Sequence, residues 1–154
     1  MRELNIHSLW LAQDDPKKNT AVLSSKRGDI TLHKRINTLP KKGIILEPLC
    51  GKIFGPEDHE LVTENNGSIV GLDCSWKQIE SSVELVMRRT RLKPRMLPLF
   101  LAANPVNWGK PGKLSTIEAL AAAAYLCGNK LQAKELLGGL SLIHISEPTR
   151  PSQI

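Results

Sequence analysis

LPLFLAANPVNWGKPGKLSTIEALAAAA, residues 97–124, joins an apolar run, a loop rich in glycine and proline, and an alanine-rich segment without a spacer. The apolar run, residues 97–103, is short enough to form a strand that is buried on both faces. An asparagine-proline pair ends this run, and the two glycines and the proline that follow predict an ordered loop. A buried strand that ends in such a loop is a typical ligand-site geometry.

A helix is predicted to follow the loop. Ser115 and Glu118 have the spacing of a capping box, in which the serine hydroxyl accepts from the N3 amide and the glutamate reaches back to the cap. This spacing predicts a helix over residues 116–127, which Gly128 ends. The first-turn amides and the helix dipole suit a carboxylate or a phosphate. An ordinary packing helix would show the same pattern.

Strand and helix patterns alternate along the rest of the chain. Strands are predicted at residues 4–12, 43–47 and 68–74, and helices at residues 16–25, 55–64 and 77–87. Residues 31–37 fit either a short edge strand or a loop, and the chain after Asn104 fits helices. The alternation predicts an α/β fold with a mainly parallel sheet and flanking helices. Binding groups are then expected beyond the carboxyl ends of the strands, at residues 14–20, 46–48, 73–76 and 104–116.

Length and composition limit the class of protein. With 154 residues the chain can bury one core and at most a second small subdomain, and its hydrophobic (41%) and charged (23%) fractions are those of a globular protein. No apolar run approaches the roughly 20 residues of a membrane span, and no export signal is present. Three widely spaced cysteines predict reduced thiols, a cytoplasmic location and no metal site. No glycine-rich dinucleotide or nucleoside-triphosphate motif occurs.

The charge points to a polyanionic partner. The net charge is +6, and basic residues are clustered, most densely at Arg88, Arg89, Arg91, Lys93 and Arg95. Lysine and arginine contacts to phosphate supply most of the sequence-independent affinity for nucleic acid. A merely basic globular protein is the alternative. Six aromatic residues are too few for a broad base-stacking platform.

Several motifs match a known family in order and spacing. They are Asp73-Cys74-Ser75-Trp76, AANPVN at residues 102–107, KLST at 113–116 followed by EAL at 118–120, DPKK at 15–18 with Thr20, Leu46-x-Pro48, and Pro56-x-Asp58. This set resembles the archaeal and eukaryotic aminocarboxypropyltransferases that act on small-subunit ribosomal RNA. The resemblance covers about residues 1–137.

The resemblance implies a fold and an activity. The fold would be related to the SPOUT class of knotted methyltransferases, with a deep trefoil knot, and the protein would be a monomer. Its N-terminal α/β domain would span residues 1–103, and a shortened helical domain would span 104–140. Residues 141–154 look like a non-native tail. The activity would be transfer of the 3-amino-3-carboxypropyl (acp) group of S-adenosylmethionine (SAM) to N3 of an N1-methylpseudouridine during ribosome biogenesis.

The resemblance also implies the cofactor contacts. The adenine would lie among Leu46, Pro48, Trp76, Leu97, Leu114 and Ala119, with backbone contacts from Leu97 and Gly112. The ribose would meet the backbone of Leu72, and the amino-acid carboxylate would be held by Thr20 and the amide of Thr116.

The chemistry depends on which carbon of the sulfonium faces the RNA base. We expect Trp76 to bury the methyl group, although a core tryptophan is the alternative, and Asp73 to accept or orient the N3 proton, although a helix cap is the alternative. Cys74 is predicted to be a small buried side chain, and His33 and His59 to be surface residues.

The basic residues are assigned to rRNA phosphates. Lys17 and Lys18 would lie beside the cofactor, and the cluster from Arg88 to Arg95 would lie on the rim of the site. Two other functions remain open at this point: an RNA methyltransferase that holds the same cofactor in the opposite orientation, and a non-catalytic RNA-binding factor in ribosome assembly.

Overall fold

Five short parallel strands form one sheet in this computed structural model, which describes residues 3–11, 28, 30–48, 50–73, 79–98 and 116–138. The strands are β1 (Asn5–Trp10), β2 (Thr31–His33), β3 (Gly43–Leu46), β4 (Ser68–Asp73) and β5 (Lys93–Arg95). Their order across the sheet is β2-β1-β4-β3-β5, and each neighbouring pair is parallel. The predicted α/β fold with a mainly parallel sheet is confirmed.

Helices cover both faces of this sheet. They are α1 (Pro56–Thr63), α2 (Ile79–Arg89), α3 (Thr116–Leu126) and α4 (Lys130–Leu137), with a short 3-10 helix at Ile36–Thr38. One apolar cluster joins the sheet to side chains of α1, α3 and α4, and the second joins its other face to α2. Because both faces are covered, β3 and β4 are apolar at consecutive positions, and Ile69 and Val70 belong to opposite clusters.

Most elements within the described residues match the sequence prediction. The strands β3 and β4 and the helices α1 and α3 begin and end within a residue or two of their predicted bounds, and residues 31–33 form the edge strand that had a loop as its alternative. The strand β5 was missed because its sequence is Lys-Pro-Arg. A proline within a strand fits an edge position, which β5 has. The predicted helix at 16–25, and residues 99–103 of the predicted strand, lie outside the described residues.

A side chain clamps the C-terminal helix to the first strand. Gln132 of α4 accepts a hydrogen bond from the Leu4 amide (2.7 Å) through Oε1 and donates one to the Leu4 carbonyl (2.9 Å) through Nε2. Asn129, which caps α4 by accepting from the Gln132 amide, also donates to Gln132 Oε1. The described helices after residue 115 therefore share their core with the sheet. A division into domains at residue 103 stays a prediction.

None of the helices in the described ranges is long and apolar enough to cross a membrane.

Candidate active site

The chain leaves the two central strands in opposite directions. From β1 it continues to β2 at one edge of the sheet, and from β4 it continues through α2 to β5 at the other edge. Ligands of open parallel sheets bind at such a switch point, beyond the carboxyl ends of the strands. The carboxyl ends of β1 and β4 are therefore the place where the topology predicts a ligand.

Asp73 lies at this switch point. It is the last residue of β4, it is half-buried, and it pairs in register with Trp10, the last residue of β1. The Leu11 amide donates a hydrogen bond of 2.8 Å to the Asp73 carbonyl, which fixes the backbone there. The Lys34 ammonium lies 5.5 Å from the centroid of the Trp10 ring. The Asp73 carboxylate and the Lys34 ammonium thus lie at the carboxyl end of the sheet, where the sequence predicts the binding groups.

Three of the predicted adenine contacts come together beside this point. Leu46 ends β3 and Leu97 follows β5, and both are buried in the same apolar cluster, against which Ala119 of α3 packs. Pro48, two residues after Leu46, is half-buried. The Leu72 side chain packs against the cluster on the opposite face of the sheet. The ribose contact predicted for Leu72 involves its backbone, which lies near the end of β4.

The start of α3 rests on β4. A Cβ built on Gly71 would lie 2.6 Å from Thr116 Cγ2 and 3.2 Å from Leu120 Cδ1, so only glycine permits this approach. Thr116 is the first residue of α3, and its amide therefore lies near the carboxyl end of β4. The positive end of the helix dipole there suits the carboxylate that the sequence assigns to this amide.

Some of the predicted site residues cannot be placed. Trp76, Cys74, Thr20, Gly112, Leu114, Lys17, Lys18 and the predicted cap Ser115 lie outside the described residues.

The basic cluster does not lie on the rim of this site, and that prediction is wrong. Arg88 and Arg89 form the last turn of α2, Arg91 follows it, and Lys93 opens β5. A crossover helix runs back along the strands, so its last turn stands at their amino ends. These four exposed side chains lie at the edge of the sheet opposite Asp73.

Arg95 is not exposed to a nucleic acid at all. Its side chain is 9% exposed, and its Nε lies 3.1 and 3.0 Å from the two carboxylate oxygens of Asp58, whose side chain is 8% exposed. The Arg95 Nη1 group donates to the Pro94 carbonyl, and Asp58 also accepts from the Gly55 amide. This buried pair joins α1 to β5, so the predicted phosphate contact of Arg95 is corrected to a structural one.

Two histidines form a pair between β1 and β2. His7 Nδ1 lies 2.9 Å from His33 Nε2, and His33 Nδ1 lies 2.9 Å from Thr38 Oγ1. Burial, together with the nearby His33 ring, lowers the pKa of His7 to about 4, and burial lowers the pKa of His33. His33 is buried, so its predicted surface position is wrong: its ring lies between His7 and Thr38 and hydrogen-bonds both. His59 is half-buried and packs edge-on against the Phe54 ring.

The cysteines and acids of the described ranges form no group of three or more that could hold a metal ion. Burial, with the nearby Asp58 carboxylate, raises the pKa of the Cys127 thiol to about 12, so this thiol is not a nucleophile.

Trp10, Lys34 and Gly71 were missed as site positions. Trp10 and Gly71 lie in strands that were predicted, but only the pairing of β1 with β4 places Trp10 beside Asp73 and Gly71 beside Ser8. A glycine two residues before Asp73 was the available signal for a close packing contact.

Comparison with known proteins identifies a family. Residues 44–144 match the family model described as "Ribosome biogenesis protein, C-terminal". A 16S rRNA aminocarboxypropyltransferase from Methanococcoides burtonii is 33% identical over 144 residues, which are 94% of this chain and 80% of that protein. The protein of the same name from Methanopyrus kandleri is 39% identical over 80% of this chain and 70% of its own length.

A solved structure shows the same fold. The SAM-dependent rRNA:acp-transferase Tsr3 from Vulcanisaeta distributa is 41% identical to this chain and superimposes with a TM-score of 0.69. The match covers 87% of this chain and 71% of that one.

Proposed function

The chain belongs to the family of 16S rRNA aminocarboxypropyltransferases, and from this membership and the carboxyl-edge geometry we propose that it transfers the acp group of SAM to small-subunit rRNA. It is an rRNA-modifying transferase that acts in ribosome biogenesis, and SAM is its acp donor. The observation that carries this assignment is the position of Asp73 at the sheet's switch point, where the family motif Asp-Cys-Ser-Trp begins.

The described residues fit SAM as a ligand. Leu46, Leu97 and Ala119 supply an apolar wall for the adenine ring, and the first turn of α3 supplies the positive end of a helix dipole for the amino-acid carboxylate. Gly71 leaves room for α3 to approach the sheet at the same place. The sulfonium of bound SAM activates all three attached carbons, so the pocket must select the carbon that meets the base.

Positioning is thus the main task of the chain. We assign to Leu46, Leu97 and Ala119 the fixing of the adenosine, and to Thr116 and Thr20 the fixing of the amino-acid arm. The γ-carbon of that arm then faces the cleft. Trp76, three residues after Asp73, is assigned to cover the methyl group. The roles of Trp76 and Thr20 rest on their motifs.

We assign to Asp73 the acceptance of the N3 proton of the target base. In the transfer, the nitrogen of the base forms a bond to the γ-carbon, the carbon–sulfur bond breaks, and methylthioadenosine leaves. The N3 proton of a uracil-type base is weakly acidic and departs as the bond forms. A carboxylate within reach accepts it without a covalent enzyme intermediate.

The finer features are proposals drawn from the family resemblance. We propose N3 of an N1-methylpseudouridine as the acceptor atom, a deep trefoil knot of the SPOUT class, and a monomer that acts in the cytoplasm. The parallel order β2-β1-β4-β3-β5 supports the relation to the knotted class.

Product analysis tests the function. The protein is incubated with SAM and small-subunit rRNA that carries N1-methylpseudouridine, and the nucleoside product is identified by mass spectrometry. Methylthioadenosine together with an acp-modified base is the expected outcome. S-adenosylhomocysteine would instead indicate a methyltransferase, and absence of SAM binding by calorimetry would indicate a non-catalytic assembly factor.

A further inference from the structure

Two basic segments meet at the amino edge of the sheet, far from Asp73. One is the turn that precedes β3, and the other runs from the last turn of α2 into β5. Among the described residues, their exposed basic side chains are Lys41, Lys42, Arg88, Arg89, Arg91 and Lys93, and we call these six the amino-edge cluster.

Backbone contacts hold the two segments together. The Arg91 amide donates to the Lys41 carbonyl (2.8 Å), and the Lys41 ammonium lies 3.4 Å from the Arg89 carbonyl. The Lys42 carbonyl accepts from the Ser68 amide (3.0 Å). The cluster is therefore one fixed surface.

Gly43 fixes the position of the turn that precedes β3. Gly43 has a φ of 136°, and a Cβ at this position would overlap the Ser68 backbone. The two lysines before it are held against β4 by a contact that no other residue permits. Their ammonium groups are thus presented from a rigid base, which lowers the entropy cost of binding an extended polyanion.

Within the part of the chain that the structure describes, one ion pair compensates the charge of the cluster. Glu84 on α2 pairs with Arg88 at 2.9 Å, and both side chains are well exposed. Glu3 and Glu64 are exposed at the same end of the molecule, and within the described residues neither forms an ion pair with the cluster. Arginine forks and lysine ammonium groups arranged in this way match the phosphates of a nucleic acid.

We propose that the amino-edge cluster binds the phosphate backbone of an rRNA segment separate from the one that carries the target base. β4 separates Asp73 from this edge by roughly 17 Å, at ~3.3 Å per residue, so a base held at Asp73 and its immediate neighbours do not extend to the cluster. The RNA is then held at two places, and the enzyme reads a folded rRNA instead of a short sequence. This inference rests on the proposed function.

The test compares two matched double variants, R89Q/R91Q in the cluster and K130Q/K134Q on α4, whose lysines are exposed on a helix of the opposite face. Binding to protein-free small-subunit rRNA is measured between about 50 and 200 mM salt. For R89Q/R91Q we expect affinity to fall about tenfold or more and the salt slope to fall by about 0.7 to 0.9 per lost contact. K130Q/K134Q should match the wild type.

Transfer assays separate this inference from the proposed function. On a short single-stranded fragment that carries the target base, R89Q/R91Q should transfer acp at the wild-type rate. On whole rRNA below saturation it should be slower by the factor lost in affinity. Wild-type rRNA affinity and salt slope in R89Q/R91Q, or equal losses in both double variants, would overturn the inference. If the wild type transfers acp to neither RNA, the proposed function fails, and the binding arm still decides the role of the cluster.

Discussion

Gly71 of β4 and Thr116 of α3 approach so closely that a Cβ on the glycine would lie 2.6 Å from Thr116 Cγ2. The start of the helix assigned to the amino-acid carboxylate is thus set by the absence of one side chain. For Gly71→Ala we expect α3 to be displaced, at a cost of about 1–3 kcal/mol in the free energy of unfolding. SAM affinity, measured by calorimetry, should fall about tenfold, which corresponds to about 1.4 kcal/mol.

Two variants control this prediction. Thr116→Ser removes the methyl that is approached and keeps the hydroxyl, so Gly71→Ala/Thr116→Ser should recover part of the SAM affinity. Gly55→Ala adds a Cβ whose nearest neighbour is 3.7 Å away, so it should leave SAM affinity unchanged. Wild-type affinity in Gly71→Ala would contradict the assigned position of the carboxylate.

Asp73 should affect turnover more than binding. As a proton acceptor it contributes about 10²- to 10⁴-fold to the rate, so Asp73→Asn should slow single-turnover acp transfer by at least about 100-fold. SAM affinity should change less than about threefold in the same variant, because the cofactor contacts come from other residues. Unchanged transfer would rule out the catalytic role and leave Asp73 as a structural residue.

The pair of Arg95 and Asp58 should affect stability. Removing one partner leaves a buried charge without compensation, so Arg95→Met should lower the free energy of unfolding by about 3–5 kcal/mol in urea titrations. The exposed pair of Arg88 and Glu84 is the control, and Glu84→Gln should cost less than about 1 kcal/mol. Normal stability of Arg95→Met would show that the pair does not hold α1 to β5.

Acidification should destabilise the protein through His7 and His33. The folded protein keeps both rings neutral, since the pKa of His7 is about 4, whereas the unfolded chain binds protons with a pKa near 6.5. The unfolded state therefore binds more protons in this range. The stabilising contribution of the neutral rings is complete above pH 6.5 and is lost as the pH falls toward 4. For His7 the free energy of unfolding changes with a slope below about 1.4 kcal/mol per pH unit.

His7→Gln removes this proton uptake and can still hydrogen-bond His33, so its urea midpoint should depend less on pH between 6.5 and 4 than that of the wild type. Equal pH dependence in the two proteins would contradict the lowered pKa of His7.

Local sequence patterns predicted the central strands and helices, because each buries a face with the expected spacing. The runs GIIL and SIVGLD are apolar at consecutive positions, and α1 begins at the predicted glycine-proline. The strand β5 was missed because Lys-Pro-Arg has no apolar residue. It is held by its neighbour β3 and by the ion pair of Arg95, which are long-range contacts.

In the candidate site, too, local sequence patterns did not show long-range contacts. Motif spacing singled out Asp73, Leu46, Leu97 and Thr116, and the structure places all four at or near the carboxyl edge. Motif spacing did not predict that Arg88 to Lys93 lie at the amino edge of the sheet, because closeness along the chain does not show the direction in which α2 runs. The two histidines lie 26 residues apart, and only the pairing of β1 with β2 brings them together.

The clamp between Gln132 and Leu4 joins residues that are 128 positions apart. During synthesis, Leu4 leaves the ribosome long before the helix whose Gln132 bonds its amide and carbonyl, and β1, which lies between β2 and β4, also waits for β4. Such non-local closure slows folding. All five strands end by residue 95, so the contact with Gln132 closes only after the whole sheet has been synthesised, and the attachment of α4 is a late step in the folding of the nascent enzyme.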